Sequence, residues 1–456
     1  MHKKISNLQT LLFSQERLRI PPYQRPYKWS TRQVNQLIDD ILYHRERDKS
    51  AYRLGTVVVH YDRGHSNQAR DVVDGQQRLY TLSLLAAALL RRHPAATPAG
   101  KQAADLCLAQ SCISNPISQA NLRRNAQLIQ QRVEEFQRED ADFFFQRCEL
   151  VYLELEHIAE AFQFFDSQNT RGKDLAPHDL LKAYHLREME SNTEAERIAS
   201  AGQWEQLTED LPRYFSSYLF KIRAWSKGRS GLHFTKERID TFKGLTIGSA
   251  PVLPFAEAAR MCHLTVQGYN QDHARVLDRQ RMPYPCQLDQ VILNGARFFE
   301  YVGQYAARIR ELEARVGDPR SSVPAWQGGG MAKRILHELA HYWGRGRQGD
   351  QYVRNLFDCC LLYYWDKFGD HKEEEAVVRI FLWAYALRLE NKAVRAVTVD
   401  NYAKAQDGLI RLIREATDPR EFFAKSLTPV NHKGSEGTVA HLDGIMQLFR
   451  DLKAIE

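Results

Sequence analysis

Val72-Val-Asp-Gly-Gln-Gln-Arg78 constrains this chain more than any other stretch. Two β-branched residues lead into Asp74-Gly75, and Gln76 to Arg92 runs on alanine- and leucine-rich, free of Gly and Pro, so a strand gives way to a helix across a tight turn. A helix opened this way directs its unpaired first-turn N–H groups and the positive end of its dipole at whatever lies in front, which suits a phosphate. Arg78, in the first turn, reaches the same anion with a bidentate guanidinium, while Asp74 suits a metal, a ribose hydroxyl or an activated water. The competing reading is a plain turn with an Asp cap and surface glutamines. Four polar residues at one junction, Asp74, Gln76, Gln77 and Arg78, exceed what a turn requires.

The surrounding pattern gives an α+β fold: a small mixed N-terminal domain followed by a long, mainly α-helical region. Arg17 to Ile20 and Leu54 to Tyr61 read as strands, and Thr31 to Tyr43 carries Val34, Leu37, Ile38, Ile41 and Leu42 at helical spacing, with Ser30 or Thr31 as N-cap. From about Gln102 the pattern is nearly all helical. It includes Gln287 to Val316, Lys333 to Tyr342, Gln351 to Phe368, Glu374 to Leu389, Tyr402 to Glu415 and Val439 to Leu452. The stretch 317–330, rich in Gly, Pro and Ser, is the best placed mobile loop. Phe143-Phe-Phe145 and Tyr363-Tyr-Trp365 read as core.

At 456 residues the chain has room for two or three domains, and 43% hydrophobic with 26% charged residues excludes collagen-like, low-complexity and mostly disordered classes. Its longest apolar run, Leu82 to Leu90, is far too short to span a bilayer, and the first residues lack the pattern of a secretory signal, so a cytoplasmic location without a membrane partner is expected. Seven cysteines with no Cys-x-x-Cys pair argue for buried thiols. A net charge of +7 favours polyanionic partners without establishing them.

Two further segments carry chemistry. In Ile20-Pro-Pro-Tyr-Gln-Arg-Pro-Tyr-Lys-Trp-Ser30, prolines fix an extended course, and Tyr23, Arg25, Tyr27, Lys28 and Trp29 offer flat faces for a base beside cations for phosphate; packing onto its own domain is the alternative. Phe164 to Leu175 holds Asn169, Arg171, Gly172 and Lys173, with Asp179 and Lys182 on the helix after it. This is no Walker loop, because Ser167 stands at the upstream glycine position and Asp174 replaces the magnesium-binding Ser or Thr; closure over phosphates and a solvated loop remain open.

IPPYQRPYKWS, LGTVVV, VVDGQQRLYTLSLL and AFQFFDSQNTRGKDLAPHDLLKAY follow one another in the order and rough spacing of the bacterial family founded by the GmrSD modification-dependent restriction endonuclease. The chain resembles that family over about residues 8 to 190, and the family's N-terminal domain resembles the ParB and sulfiredoxin fold. The resemblance implies a domain that binds and hydrolyses a nucleoside triphosphate with Mg2+, in a system that recognises and degrades modified phage DNA. It implies Asp74, Gln77 and Arg78 as catalytic residues. It places Tyr23, Gln24, Arg25, Gly75, Gln76, Asn169, Arg171, Gly172, Lys173 and Asp179 at the nucleotide. Residues 1–95 would form the nucleotide-binding core, 96–195 a helical extension completing the site, and 196–456 a helical sensor, effector or partner-binding region.

The second half departs from many relatives, because a His-Asn-His nuclease pattern is missing around Val430-Asn-His432 and His441. A separate nuclease or effector subunit is therefore expected, with homo-oligomerisation open. His337-Glu-Leu-Ala-His341 has zinc-hydrolase spacing but no third ligand in view, and reads as packing or solvent residues, so no metal ligand is assigned. The leading expectation is an NTP-hydrolysing subunit of an anti-phage restriction system. The alternatives are a non-catalytic DNA-binding or scaffold module and a nuclease acting through the N-terminal domain.

Overall fold

The computed structural model describes residues 2–14, 18–21, 24, 26–47, 50–61, 70–94, 116–155, 176–189, 192–247, 253–277, 280–317, 326–430 and 442–455. The chain divides into two compact units, Met1–Leu175 and Ala176–Glu456.

The first unit is built on a mixed sheet of five strands among the described residues: β1 (His2–Asn7), β2 (Leu18–Arg19), β3 (Tyr52–His60), β4 (Arg70–Asp74) and β5 (Cys148–Leu155). They lie in the order β1-β5-β3-β4-β2. β5 pairs parallel to β3 and antiparallel to β1, so a strand from the stretch read as helical extension lies inside the sheet. Its burial alternates over the first five residues of CELVYLEL, with Cys148, Leu150 and Tyr152 on one buried face, the period of two of a strand, while Leu153 and Leu155 are buried on the other face. β5 is an exception to the nearly all-helical reading after about Gln102. The core of this unit therefore includes a strand contributed from beyond residue 95.

Among the described residues five helices accompany the sheet: α1 (Leu8–Leu12), α2 (Thr31–Glu46), α3 (Gln76–Arg92), α4 (Pro116–Arg132) and α5 (Arg138–Gln146). α2 starts where the sequence places it, with the Gln33 side chain accepting the Ser30 backbone N–H at 2.8 Å. Val34, Ile38 and Ile41 of α2, Leu82, Leu85 and Leu89 of α3, and Phe144 and Phe145 of α5 are fully buried in one core. Burying such side chains contributes roughly 1.5–3 kcal/mol each, which holds α3 in place against the sheet.

The second unit is helical: α6 (Pro177–Arg187), α7 (Glu194–Gln206), then α8, which runs through Leu211–Arg213, a π-helical stretch Tyr214–Leu219 and Phe220–Trp225. There follow α9 (Glu257–Gln271), α10 (His273–Leu277), α11 (Ala296–Val316), α12 (Gly330–His341), α13 (Gln348–Phe368), α14 (Glu373–Glu390), α15 (Ala396–Ala403), α16 (Leu409–Glu415), α17 (Pro419–Ala424) and α18 (Asp443–Asp451). Together the two units make an α+β protein. The single helix expected over Tyr402 to Glu415 is instead two, because the turn residues Asp407-Gly408 interrupt it. α11 starts later than expected, after Gly295 at φ 76°.

Two buried polar arrangements hold the second unit. Arg354 of α13 donates to Asp358 at 2.8 Å and to the carbonyls of Val316 and Gly317, capping the otherwise unpaired end of α11. His185 of α6 is completely buried, its ring stacked on Phe298 at 3.6 Å. Its Nε2 lies 3.0 Å from the Phe242 carbonyl, and its Nδ1 accepts the Gly295 N–H at 3.3 Å, so the imidazole is held neutral with its proton on Nε2. Burial drives its pKa down to about 3. The described cysteines form no disulfide, and Cys148, Cys286, Cys359 and Cys360 are buried while Cys262 is half-buried. Among the described residues no helix is long and apolar enough to cross a membrane.

Candidate functional site

The turn that opens α3 is shaped by its neighbours in the sheet. Val58 pairs with Asp74 and Val59 with Val72, so Val73 is an extra residue and β4 carries a bulge directly before the turn. Gly75 follows at φ 92°, and a Cβ there would lie 3.0 Å from the Thr56 carbonyl oxygen and 3.0 Å from Val57 Cγ2. Glycine is required both by the left-handed backbone and by this close approach to β3. As N-cap of α3, Gly75 offers no side chain, and the first intrahelical bond runs from Leu79 N–H to the Gly75 carbonyl at 2.9 Å.

Arg78 turns back from the first turn of α3 onto β3. Its Nη1 donates to the Thr56 carbonyl at 3.1 Å, and its guanidinium lies flat against Gly55, where an added Cβ would come within 2.8 Å of Nη1. Gly55 has φ 124° and follows a second bulge, at Leu54 in the pairing of β3 with β5. Burial lowers the Arg78 pKa, and the charges of Asp74 and Tyr52 act in the opposite direction. The guanidinium still remains charged, since arginine is not deprotonated in proteins. Among the described residues no carboxylate forms an ion pair with it, and the rest of its N–H groups have no protein partner. Gly55 is a site residue that sequence reasoning missed; a glycine inside a β-branched run was the available signal.

The glutamines of the motif and its partner segment do something other than expected. Gln77 is 8% exposed, and its Oε1 accepts the N–H groups of Lys28 at 2.8 Å and Trp29 at 3.3 Å while its Nε2 donates to the Pro26 carbonyl at 3.0 Å. These bonds commit the amide to the backbone of the 26–29 segment, which Gln77 positions, where orientation of water or Mg2+ was expected. Gln24 Nε2 donates to the carbonyls of Val72 at 2.9 Å and Val73 at 2.7 Å, satisfying the bulge. It braces the strand that carries Asp74, a bracing role where a nucleotide contact was expected.

Tyr27 is 1% exposed, which removes it as a stacking platform for a base. Its hydroxyl lies 2.8 Å from Thr81 Oγ1 and accepts from Asn125 Nδ2 at 3.0 Å, while Asn121 Nδ2 donates to its carbonyl at 2.8 Å. The Pro26–Trp29 strand of chain is thereby bolted between α3 and α4, which is why a Pro-rich segment with few backbone partners holds one course. Lys28 remains exposed, and Trp29 packs on the core of the unit.

Thus Gln24, Asp74, Gly75, Gln76, Gln77 and Arg78 are brought to one end of the sheet, with Gln76 buried at 4% exposure and Asp74 half-buried. Tyr23, Arg25, Asn169, Arg171, Gly172 and Lys173 lie outside the described residues. Asp179 belongs to the second unit, in the first turn of α6 with Oδ1 4.0 Å from His178 Nε2. A Gly55→Ala substitution should push the guanidinium of Arg78 off β3. Any anion affinity that depends on Arg78 should fall about tenfold or more, the scale of one charge-assisted contact, as measured by calorimetric titration.

His337 and His341, which have zinc-hydrolase spacing, lie one turn apart on α12. Both are exposed on α12, their rings stack at 4.3 Å, and His341 Nδ1 lies 2.7 Å from the His337 carbonyl. Among the described residues no group of three or more His, Cys, Asp or Glu side chains is placed to hold a metal.

Two family models match the chain, one over its first part and one over its helical second half. No curated protein matches it. Residues 8–186 match the family described as GmrSD restriction endonuclease, N-terminal domain, a stretch that holds β2 to β5, the Asp74–Arg78 turn and nearly all of α6. Residues 196–439, more than half of the chain, match the family of unknown function DUF7834, and not an HNH nuclease domain. The chain thus carries a GmrSD-type restriction endonuclease N-terminal domain and belongs, through its helical second half, to the family of unknown function DUF7834.

Proposed function

We propose that this chain serves a DNA restriction system as its nucleotide-dependent subunit, binding and hydrolysing a nucleoside triphosphate at the Asp74–Arg78 turn. The coarser part, a place in restriction, rests on the GmrSD-type domain over residues 8–186. The finer part rests on one observation: the half-buried Arg78 guanidinium, which among the described residues has no ion-pairing carboxylate and donates only to the Thr56 carbonyl, stands at the start of a helix whose N-cap is a glycine. A desolvated cation of this kind is stabilised by an anion brought to it, and a phosphate is matched both by the fork of the guanidinium and by first-turn amides. Asp74 is the carboxylate nearest that space by sequence, at the end of β4. Mg2+ usually takes one or two protein carboxylates and completes its shell with phosphate oxygens and water, so a single aspartate fits it. The ion would supply charge neutralisation at the phosphates, while Arg78 holds them and Asp74 positions the ion.

DNA cleavage in this reading falls to a separate nuclease or effector subunit, with the helical half of the chain engaging DNA or that partner. The test is phosphate release from each of the four ribonucleoside triphosphates with Mg2+, with and without plain and modified phage DNA. Arg78→Ala should weaken nucleotide binding by roughly 1.5–3 kcal/mol, the range for a hydrogen bond to a charged group. Asp74→Ala should abolish turnover while sparing binding. Unchanged nucleotide affinity in a folded Arg78→Ala protein would overturn the site. Absence of turnover by the parent with any of the four, DNA present, would leave a DNA-binding module as the better reading.

A further inference from the structure

A groove in the second unit has the build of a ligand site that the turn at Asp74–Arg78 does not account for. It consists of two adjoining cavities, about 520 Å³ and 650 Å³, that share Glu196, Arg281, Ala296 and Glu300. Each is within the size of a small-molecule site. The two halves differ in chemistry.

The smaller half gathers Arg275, Arg281 and Arg297. Arg297 is only 9% exposed; its Nε donates to His263 Nδ1 at 2.9 Å and its Nη1 to Glu300. Arg281 donates to the other oxygen of the same Glu300 at 2.9 Å, so one carboxylate serves two guanidinium groups. Arg275 has Gln280 as its hydrogen-bond partner, at 2.6 Å, and stacks on Tyr269. The second carboxylate, Glu196, is occupied at the start of α7 by Thr193 and Asn192. His263, accepting from Arg297 and held below its ordinary pKa by burial and by that arginine, adds no charge at neutral pH. The arginines outnumber the carboxylates, and each keeps N–H groups without a protein partner among the described residues. The loop that carries Arg281 is pinned, because Asn270 exchanges two hydrogen bonds with the backbone of Met282. Forked donors on a fixed scaffold with surplus positive charge suit a phosphate.

The larger half is walled by Met282, Pro283 and Tyr284 and edged by Gln203 and Gln304. Its floor includes Gly303, in the interior of α11, where an added Cβ would meet nothing within 4 Å. A mid-helix glycine weakens a helix relative to alanine, and here no close packing requires it. What the glycine does provide is open space in the groove wall. Apolar walls with side-chain amides at the rim suit a flat heterocycle that carries donors and acceptors on its edge.

We infer that this groove binds one nucleotide unit, its phosphate on Arg275, Arg281 and Arg297 and its base in the half floored by Gly303. A free nucleotide and a nucleotide within single-stranded DNA present the same chemistry, and the probes separate them. The titrations use the full chain carrying Arg78→Ala, so that the first unit does not contribute. The inference therefore stands or falls separately from nucleotide turnover at Asp74. Probes are the four 2′-deoxynucleoside 5′-monophosphates, a short single-stranded oligodeoxynucleotide and inorganic phosphate.

Arg275→Gln with Arg281→Gln, both on the surface side of the groove, should weaken binding at least tenfold for every probe that binds. Gly303→Leu should weaken monophosphate or oligonucleotide binding at least tenfold, leave inorganic phosphate unchanged, and melt no lower than its parent. Binding of the monophosphates assigns a free nucleotide, and binding of the oligonucleotide alone assigns DNA. Failure of the parent to bind either, unchanged affinity in both folded variants, or a loss in only one of them would overturn the inference.

Discussion

Lowering the pH from about 6.5 to 3 is expected to remove roughly 4–5 kcal/mol of stability from the second unit through one imidazole, that of His185. The ring is completely buried, stacked on Phe298, with both nitrogens committed to backbone groups of Phe242 and Gly295. Protonation would desolvate a charge and set a second N–H against the Gly295 N–H, so burial holds the folded pKa down to about 3. In the unfolded chain the same group binds a proton near pH 6.5. The unfolded state therefore carries more protons throughout that window, and stability is full above it and falls progressively towards its lower end. Urea unfolding at stepped pH, compared with His185→Gln, isolates this contribution from carboxylates that titrate in both proteins. Equal pH slopes for the two proteins between pH 6.5 and 4 would sink the assignment.

The second large effect is expected from Gln77→Ala. It leaves the Pro26 carbonyl and the Lys28 and Trp29 N–H groups without their partner, at a cost of about 1–3 kcal/mol for each group that stays buried. The segment should loosen from α3, and hydrogen exchange at the Lys28 and Trp29 amides should quicken by two orders of magnitude or more, the equivalent of ~3 kcal/mol. A residue that oriented water or Mg2+ would behave otherwise: turnover would vanish while those amides stayed protected. Gln77→Glu separates the contributions further, because it keeps acceptors for the two amides and loses the donor to Pro26.

These two residues show what was legible in the chain. The motif Asp74–Arg78 stood out because strand, turn and helix signals met at one point, and the turn, the helix and the two faces of α2 follow from local spacing. β5 was legible in principle, since Cys148, Leu150 and Tyr152 alternate, but it follows directly on the helix α5 and its pairing partner β3 lies far upstream. β1, HKKISN, carries almost no apolar signal; its strand state comes from the edge of β5 that it pairs with. His185 looks like any helix-borne histidine until α11 brings Phe298 and Gly295 against it.

What the sequence determined by itself was chemistry and local geometry: a glycine turn that opens a helix, an arginine one residue past the paired glutamines, and a helical second half. What only the tertiary structure decided was direction. Gln24 and Gln77 turn towards backbone carbonyls and amides of neighbouring segments and the Tyr27 hydroxyl towards the Thr81 and Asn125 side chains, whereas Arg78 bonds only the Thr56 carbonyl among the described residues. The reason is physical: a buried polar group must find a partner, and the partner can lie fifty residues away in the chain, where spacing along the sequence gives no sign of it.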